Sequence, residues 1–123
     1  MQSVIQKKSY NSARVFWLNK ELLGQSIAEA VKKLVLECFE VEKIVLFGSV
    51  ADNRETPSSD IDILIVVSDS QYRFLDRADP FRKYFQDIGL GLDIFVYTRK
   101  EIEEGNIPLV NSVLKKGKVL FQK

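Results

Sequence analysis

Five residues of this 123-residue chain have types and spacing that could do chemistry together: Gly48, Ser49, Asp60, Asp62 and Asp93. Asp60 and Asp62 open the run Asp-Ile-Asp-Ile-Leu-Ile-Val-Val, and Asp93 stands inside Leu-Asp-Ile-Phe-Val-Tyr. Both runs are short, apolar and rich in β-branched or aromatic residues, which is strand composition. Aspartate is a poor strand former, and burying an unpaired carboxylate is costly. Side chains alternate along a strand, so Asp60 and Asp62 share one face while Ile61, Ile63 and Ile65 take the other. Asp93 shares its face with Phe95 and Tyr97. If the two strands are neighbours, three carboxylates converge on one patch. Such a cluster repels itself, and a divalent cation supplies the charge that relieves it. The plainer reading has Asp60 capping the preceding loop and Asp93 paired with a lysine or arginine. Gly48 and Ser49 follow the apolar run Lys43-Ile44-Val45-Leu46-Phe47. A glycine lets a ligand approach the backbone closely, and the following amides and the serine hydroxyl can donate to phosphate oxygens. Alone, such a pair is more often a simple turn. The two features together point to a metal-and-phosphate site.

The elements that must position these residues are readable in outline. Asn19 is a candidate N-cap, and Ile27, Ala30, Val31, Leu34, Val35 and Cys38 recur at helical spacing, so a helix is expected over about Glu21–Phe39. Strands are expected over Lys43–Phe47, Asp60–Val67 and Leu92–Tyr97, with a short helical turn and a loop over Ser49–Ser59. Tyr72–Ile88 reads as helical, beginning or restarting near Pro80. Thr98 and Glu101 match a capping box. Ile107–Lys116 reads as a last helix with Gly117 as its C′ residue, and Val119–Phe121 as a closing edge strand. Arg14–Leu18 is either a short strand or a packed entry segment. The expectation is an α/β (α+β) domain, a small mixed β-sheet of three to five strands with helices packed on one side. Residues 1–12 are expected to form a flexible N-terminal segment, and 13–123 a single domain.

Composition narrows the chemistry. The chain has 18 basic and 17 acidic residues, a formal charge of +1, which argues against a protein built mainly to coat nucleic acid. It has no histidine, which removes the usual zinc sites and any histidine general base. Metal must therefore be held by oxygen, which favours magnesium, manganese or calcium. The single cysteine, Cys38, excludes an intramolecular disulfide and reads as a small core residue rather than a reactive thiol. No stretch approaches the roughly 18 apolar residues of a membrane span, and no signal sequence is visible, so cytoplasmic residence is the expectation. The aromatics Tyr10, Phe16, Trp17, Phe74, Phe81 and Tyr84 read mostly as core packing, with a partner surface as the alternative.

Gly48-Ser49, ten intervening residues, then Asp60-Ile61-Asp62 resembles the Gly-Ser-x10-Asp-x-Asp signature of minimal nucleotidyltransferases of the DNA polymerase beta superfamily. The likeness runs from about Val15 to Phe121, with Asp93 where the family carries its third carboxylate. The resemblance implies a polymerase beta-like nucleotidyltransferase fold, ATP as substrate and Mg2+ as cofactor, with two ions. It implies that Asp60, Asp62 and Asp93 are the catalytic and metal-binding carboxylates, and that Gly48 and Ser49 hold the nucleotide's phosphates. Where many members carry Arg-Ala-Arg-Gly after Gly-Ser, this chain has Val50-Ala51-Asp52-Asn53, with Arg54 two places further on.

A polymerase or tRNA-adding enzyme of this superfamily needs further domains to hold its nucleic acid. Small free-standing members resemble antitoxins of two-gene modules, whose partner is a HEPN-domain ribonuclease silenced by AMP transfer to a tyrosine. The leading expectation is thus ATP-dependent AMP transfer to such a partner. The alternatives are a catalytically weak or inactive nucleotide-binding antitoxin acting by contact, and transfer to a small molecule such as an aminoglycoside. No membrane association is expected, and a homo-oligomer, the acceptor and the base preference stay open.

Overall fold

The computed structural model describes residues 3–10 and 13–123, with side chains at 9, 10 and 13–17 outside the description. It begins with a hairpin, β1 (Ile5–Tyr10) antiparallel to β2 (Ala13–Leu18). A strand thus stands where a loose segment is expected from polar composition. The apolar anchors are Val4, which is fully buried, and Ile5 and Leu18, which pack against the main core. The Asn19 amide donates to the Val4 carbonyl at 2.7 Å and ties the hairpin to the first helix. The rest of the flexible-segment expectation, residues 1–2 and 11–12, lies outside the described residues.

Helix α1 (Lys20–Glu37) starts where Asn19 predicts, its side chain accepting from the Leu22 amide at 3.0 Å. Leu23, Ile27, Ala30, Val31 and Leu34 form its buried stripe. The helix stops short of Phe39 because Cys38 leaves helical geometry and its carbonyl accepts from Val41 to turn the chain into β3 (Val41–Phe47). Cys38 packs against the core with its Sγ 3.7 Å from the Tyr84 hydroxyl, and burial pushes its thiol pKa up. A thiol held protonated suits a packing role rather than a nucleophilic one.

After β3 come the four-residue helix α2 (Gly48–Ala51), a loop, and β4 (Asp60–Val67). The helical segment expected over Tyr72–Ile88 does restart near Pro80, but it is short and interrupted: a 3-10 turn at Phe74–Asp76, helix α3 (Asp79–Arg82) and a second 3-10 turn at Gln86–Ile88. Pro80 sits in the first turn of α3, where its missing amide costs nothing; within a longer helix it would break the ladder. Gly89, at φ +95°, ends the segment. Ala78, Phe81, Phe85 and Ile88 reach the core, whereas Tyr72, Phe74 and Leu75 stay exposed. Among the aromatics weighed for a partner surface, Phe81 is therefore core, Tyr84 packs against it, and Phe74 is on the surface; the side chains of Tyr10, Phe16 and Trp17 lie outside the description.

Strand β5 (Gly91–Thr98) leads into helix α4 (Arg99–Glu104), then helix α5 (Pro108–Lys116) and strand β6 (Lys118–Gln122). The four-stranded sheet has the order β5-β4-β3-β6, with β4 and β5 parallel and the other pairs antiparallel. Ile61, Ile63, Ile65 and Val67 of β4 join α1 and α3 in the main core on one face of the sheet. Helix α5 adds cover on the reverse face, where Val110 and Val113 pack on Val45 and Leu64. The near-continuous apolar run of β4 calls for burial on both faces. Gly117 ends α5 in an extended rather than left-handed conformation. Its need for glycine is spatial, since a Cβ there would meet the Val113 carbonyl oxygen at 2.6 Å.

The capping box of α4 forms as read: Thr98 Oγ1 accepts from the Glu101 amide, and Glu101 Oε1 accepts from the Thr98 amide at 2.8 Å. The same oxygen accepts from Arg77 Nη1 at 2.6 Å, joining α4 to the chain before α3. Burial raises the Glu101 pKa, but the Thr98 amide, Arg77 and the Thr98 hydroxyl more than offset it, and the net shift is downward. The lowered folded value makes this contribution complete above the ordinary glutamate pKa of 4.5 and lost as the pH falls through the folded value. Glu101→Gln is expected to cost about 1 kcal/mol at pH 7. Denaturant titration should show that gap closing as the pH drops below the ordinary carboxylate range.

Candidate active site

The parallel pairing of β4 and β5 decides the geometry. Asp62 lies directly beside Asp93 in the register, and Asp60 lies beside Gly91. Because paired residues on parallel strands point the same way, Asp60, Asp62 and Asp93 share the face that carries Leu64 and Phe95. Phe47, paired with Asp62 from the β3 side, and Phe95 put their rings 6.0 Å apart on this face, an apolar neighbour to the carboxylates.

Two glycines make room for the acids. A Cβ on Gly91 would fall on the Asp60 carboxylate, and a Cβ on Gly48 would fall on that of Asp62. Gly48 also has φ +76°, a left-handed conformation that glycine adopts without strain. The apolar strand β3 therefore ends at the one residue type that brings the backbone against Asp62, and Ser49 follows it in α2. Gly91→Ala should turn Asp60 away from the patch. A fall of about tenfold in turnover at this site is expected from such a misplacement, with the steady-state rate as the readout.

The electrostatics fall most heavily on Asp62. It is half-buried, and its pKa is raised first by desolvation, then by the charges of Asp93 and Asp60 and a hydrogen bond shared with Asp93. Among the described residues, no lysine or arginine forms an ion pair with any of the three acids. The plainer reading, Asp93 neutralised by a basic side chain, therefore does not hold within the described residues. Nor do the acids already stand as a closed cation cage: among the described residues, no group of three or more acidic, cysteine or histidine side chains has that arrangement. The patch is open. Its chemistry fits a divalent cation even so, because it offers only hard oxygen donors and an excess of negative charge that no described basic side chain pairs with.

The loop after Gly48-Ser49 differs from a basic one. Val50 is buried in the main core, and Asp52 accepts from Arg54 Nη2 at 2.9 Å. Arg54 thus reaches back to neutralise Asp52. Asn53 sits at φ +57°, tolerable for asparagine, at the place where the family pattern has glycine.

Sequence reasoning missed Gly91, Ser112 and Lys116. Gly91 had a signal, since Gly91-x-Asp93 matches Asp60-x-Asp62 once the two strands are paired in parallel. Ser112 and Lys116 line a cavity with Gly48, a meeting that no local spacing announces.

Comparison with known proteins identifies the family and the fold. The family model described as Nucleotidyltransferase domain matches residues 25–121. A protein of Methanocaldococcus jannaschii that carries the inferred name protein adenylyltransferase is 34% identical over 71 residues, 58% of this chain and 70% of the relative. A crystal structure from Sulfolobus solfataricus, named by inference a nucleotidyltransferase, superposes with a TM-score of 0.60 at 18% identity, covering 85% of this chain and 84% of that one. The solved complex of tri-AMPylated Shewanella oneidensis HEPN toxin with MNT antitoxin contains a chain that matches with a TM-score of 0.55 at 21% identity. That match covers 85% of this chain and 73% of the other. At these identities the structures speak to the fold. Among the described residues, no helix is long and apolar enough to cross a membrane.

Proposed function

We infer, for a chain that belongs to the nucleotidyltransferase domain family, that it transfers AMP from ATP to a hydroxyl of a partner protein, a tyrosine of a HEPN-type ribonuclease toxin. The observation that carries this reading is the parallel register that sets Asp62 beside Asp93, with Asp60 on the same face and Gly48 against Asp62. Supporting the acceptor class are the M. jannaschii relative's name and the likeness to a chain of the AMPylated toxin–antitoxin complex.

Asp60 and Asp62 would hold Mg2+ against the triphosphate, and Asp93 would complete a second ion position. Bound Mg2+ supplies charge neutralisation for the triphosphate and for the entering and leaving oxygens. Gly48 presents its backbone, and Ser49 its hydroxyl, to the phosphates. Asp93 accepts the proton of the tyrosine hydroxyl as its oxygen attacks the α-phosphorus in line. The new phosphorus–oxygen bond forms to the tyrosine, the bond to the bridging oxygen breaks, and pyrophosphate leaves. Cytoplasmic residence accords with the demand for ATP and Mg2+.

A second reading has one observation in its favour. With Val50 buried and Arg54 engaged by Asp52, α2 and the residues after it offer no free arginine to the phosphates. A protein so built could neutralise its partner by contact, with nucleotide held but turned over slowly. The test is incubation with ATP labelled at the α-phosphate and Mg2+, with and without the product of the adjacent gene. Label on a tyrosine of the partner, absent with the Asp60→Ala, Asp62→Ala double variant, supports transfer. Partner inhibition that persists in that double variant, with no label in either sample, favours contact.

A further inference from the structure

We propose that the cavity between α2 and α5 receives the polyphosphate tail of the nucleotide, with the Lys116 ammonium as its cation. The proposal rests on the nucleotidyl-transfer reading and adds to it a residue from the far end of the chain. The cavity, about 210 Å3, has walls that include Phe47, Gly48, Asp52, Ser112, Val113 and Lys116. It adjoins the carboxylates through Gly48, whose absent Cβ leaves the backbone against Asp62.

Charge and placement together select a phosphate chain. Ser112 and Lys116 stand four residues apart on α5, so both project to the same side of the helix, one turn from each other. Together they offer a hydroxyl and a mobile cation beside the glycine. Lys116 forms no ion pair with a described residue, and its charge is uncommitted within them. Asp52 would repel phosphate from the opposite wall, but Arg54 already counters it. Among the residues that line the cavity, Lys116 is thus the one cation, facing an acidic wall residue that Arg54 already engages.

The fold also explains why the cation has to come from α5. Of the two positions where the family pattern puts arginine, Val50 is turned into the core on the α1 side of the sheet and Asp52 is acidic. Neither can meet the negative charge of a triphosphate. Lys116 lines the same cavity as Gly48 and takes over that task. The blander role for Lys116 is to complement the carbonyl end of α5, as lysines in a last turn do. Lys115 shares that role without lining the cavity, so it is the internal control.

Calorimetric titration with Mg2+-ATP, inorganic tripolyphosphate and adenosine tests this on the wild type, Lys116→Gln, Lys116→Arg and Lys115→Gln. Lys116→Gln should weaken ATP and tripolyphosphate roughly tenfold or more while leaving adenosine unchanged. Lys116→Arg should stay within about threefold of wild type because it keeps the charge, and Lys115→Gln should match it. Lys116 is exposed, so an unaltered thermal midpoint is expected for every variant. Tripolyphosphate binding that ignores Lys116→Gln would overturn the proposal. Equal loss of adenosine would do so too, by assigning the cavity to the base. A wild type that binds neither ATP nor tripolyphosphate would bring down the nucleotidyl-transfer reading itself, whereas normal wild-type binding with an indifferent Lys116 defeats this proposal alone.

Discussion

Asp62→Asn is expected to lower the proposed AMP transfer by about three orders of magnitude or more while the variant remains folded. A loss of that size corresponds to roughly 4 kcal/mol of transition-state stabilisation, the scale expected when a charged group essential to the reacting centre is removed. The expected effect on stability has the opposite sign. Without a cation, Asp62 is half-buried beside Asp93 and Asp60, and both burial and those charges oppose its ionisation. Asparagine keeps the shape and removes the repulsion, so the metal-free variant should melt at or above the temperature of the wild type. A purely structural aspartate behaves otherwise: its loss would lower the melting temperature and leave transfer within a few fold. Thermal unfolding without metal, set beside single-turnover transfer with Mg2+-ATP, distinguishes the two. Added Mg2+ and ATP should raise the melting temperature of the wild type and leave that of Asp62→Asn unmoved.

The second large effect is expected at Gly48. An alanine there must hold φ +76°, which costs about 1–2 kcal/mol, and its Cβ must displace the Asp62 carboxylate. Gly48→Ala should therefore lose both stability and activity, with transfer down on the order of a hundredfold because a carboxylate about one ångström out of place is enough for that. The two predictions are linked. If Gly48 acts by leaving room for Asp62, then Gly48→Ala made in an Asp62→Asn background should cost little further activity. Additive losses in that double-mutant cycle would mean that Gly48 serves the phosphates alone.

Much of this site was legible before any coordinates because its parts are local. Asp60 and Asp62 share a face through the two-residue period of a strand, and Gly48-Ser49 follows an apolar run in unbroken sequence. Asn19 as a cap and the Thr98–Glu101 box also depend only on residues a turn apart, and both are formed. What the sequence could not supply is long-range. The pairing of Asp62 with Asp93 depends on β4 and β5 running parallel in one particular register, across a connection of 23 residues between Val67 and Gly91. The segment over Tyr72–Ile88 has apolar residues at helical spacing, yet Pro80 divides it, and Phe74 and Leu75 end up in solvent. Strand β1 was hidden by its polar composition, because Val4 and Ile5 are its only described apolar anchors before the hairpin turns back. Lys116 is adjacent to Gly48 only after α5 folds over the reverse face of the sheet, so its place in the cavity has no sequence signature at all.

The most direct measurement replaces Mg2+ with paramagnetic Mn2+ in the presence of a non-hydrolysable ATP analogue and follows backbone amide resonances. The protein, at 14.1 kDa, is well suited to it. The account predicts that amides around Gly48–Ser49, Asp60–Asp62 and Gly91–Asp93 broaden first, and that Asp62→Asn abolishes the effect. Sharp signals at those positions, with broadening elsewhere or nowhere, would contradict a nucleotide and metal centre at the ends of β4 and β5.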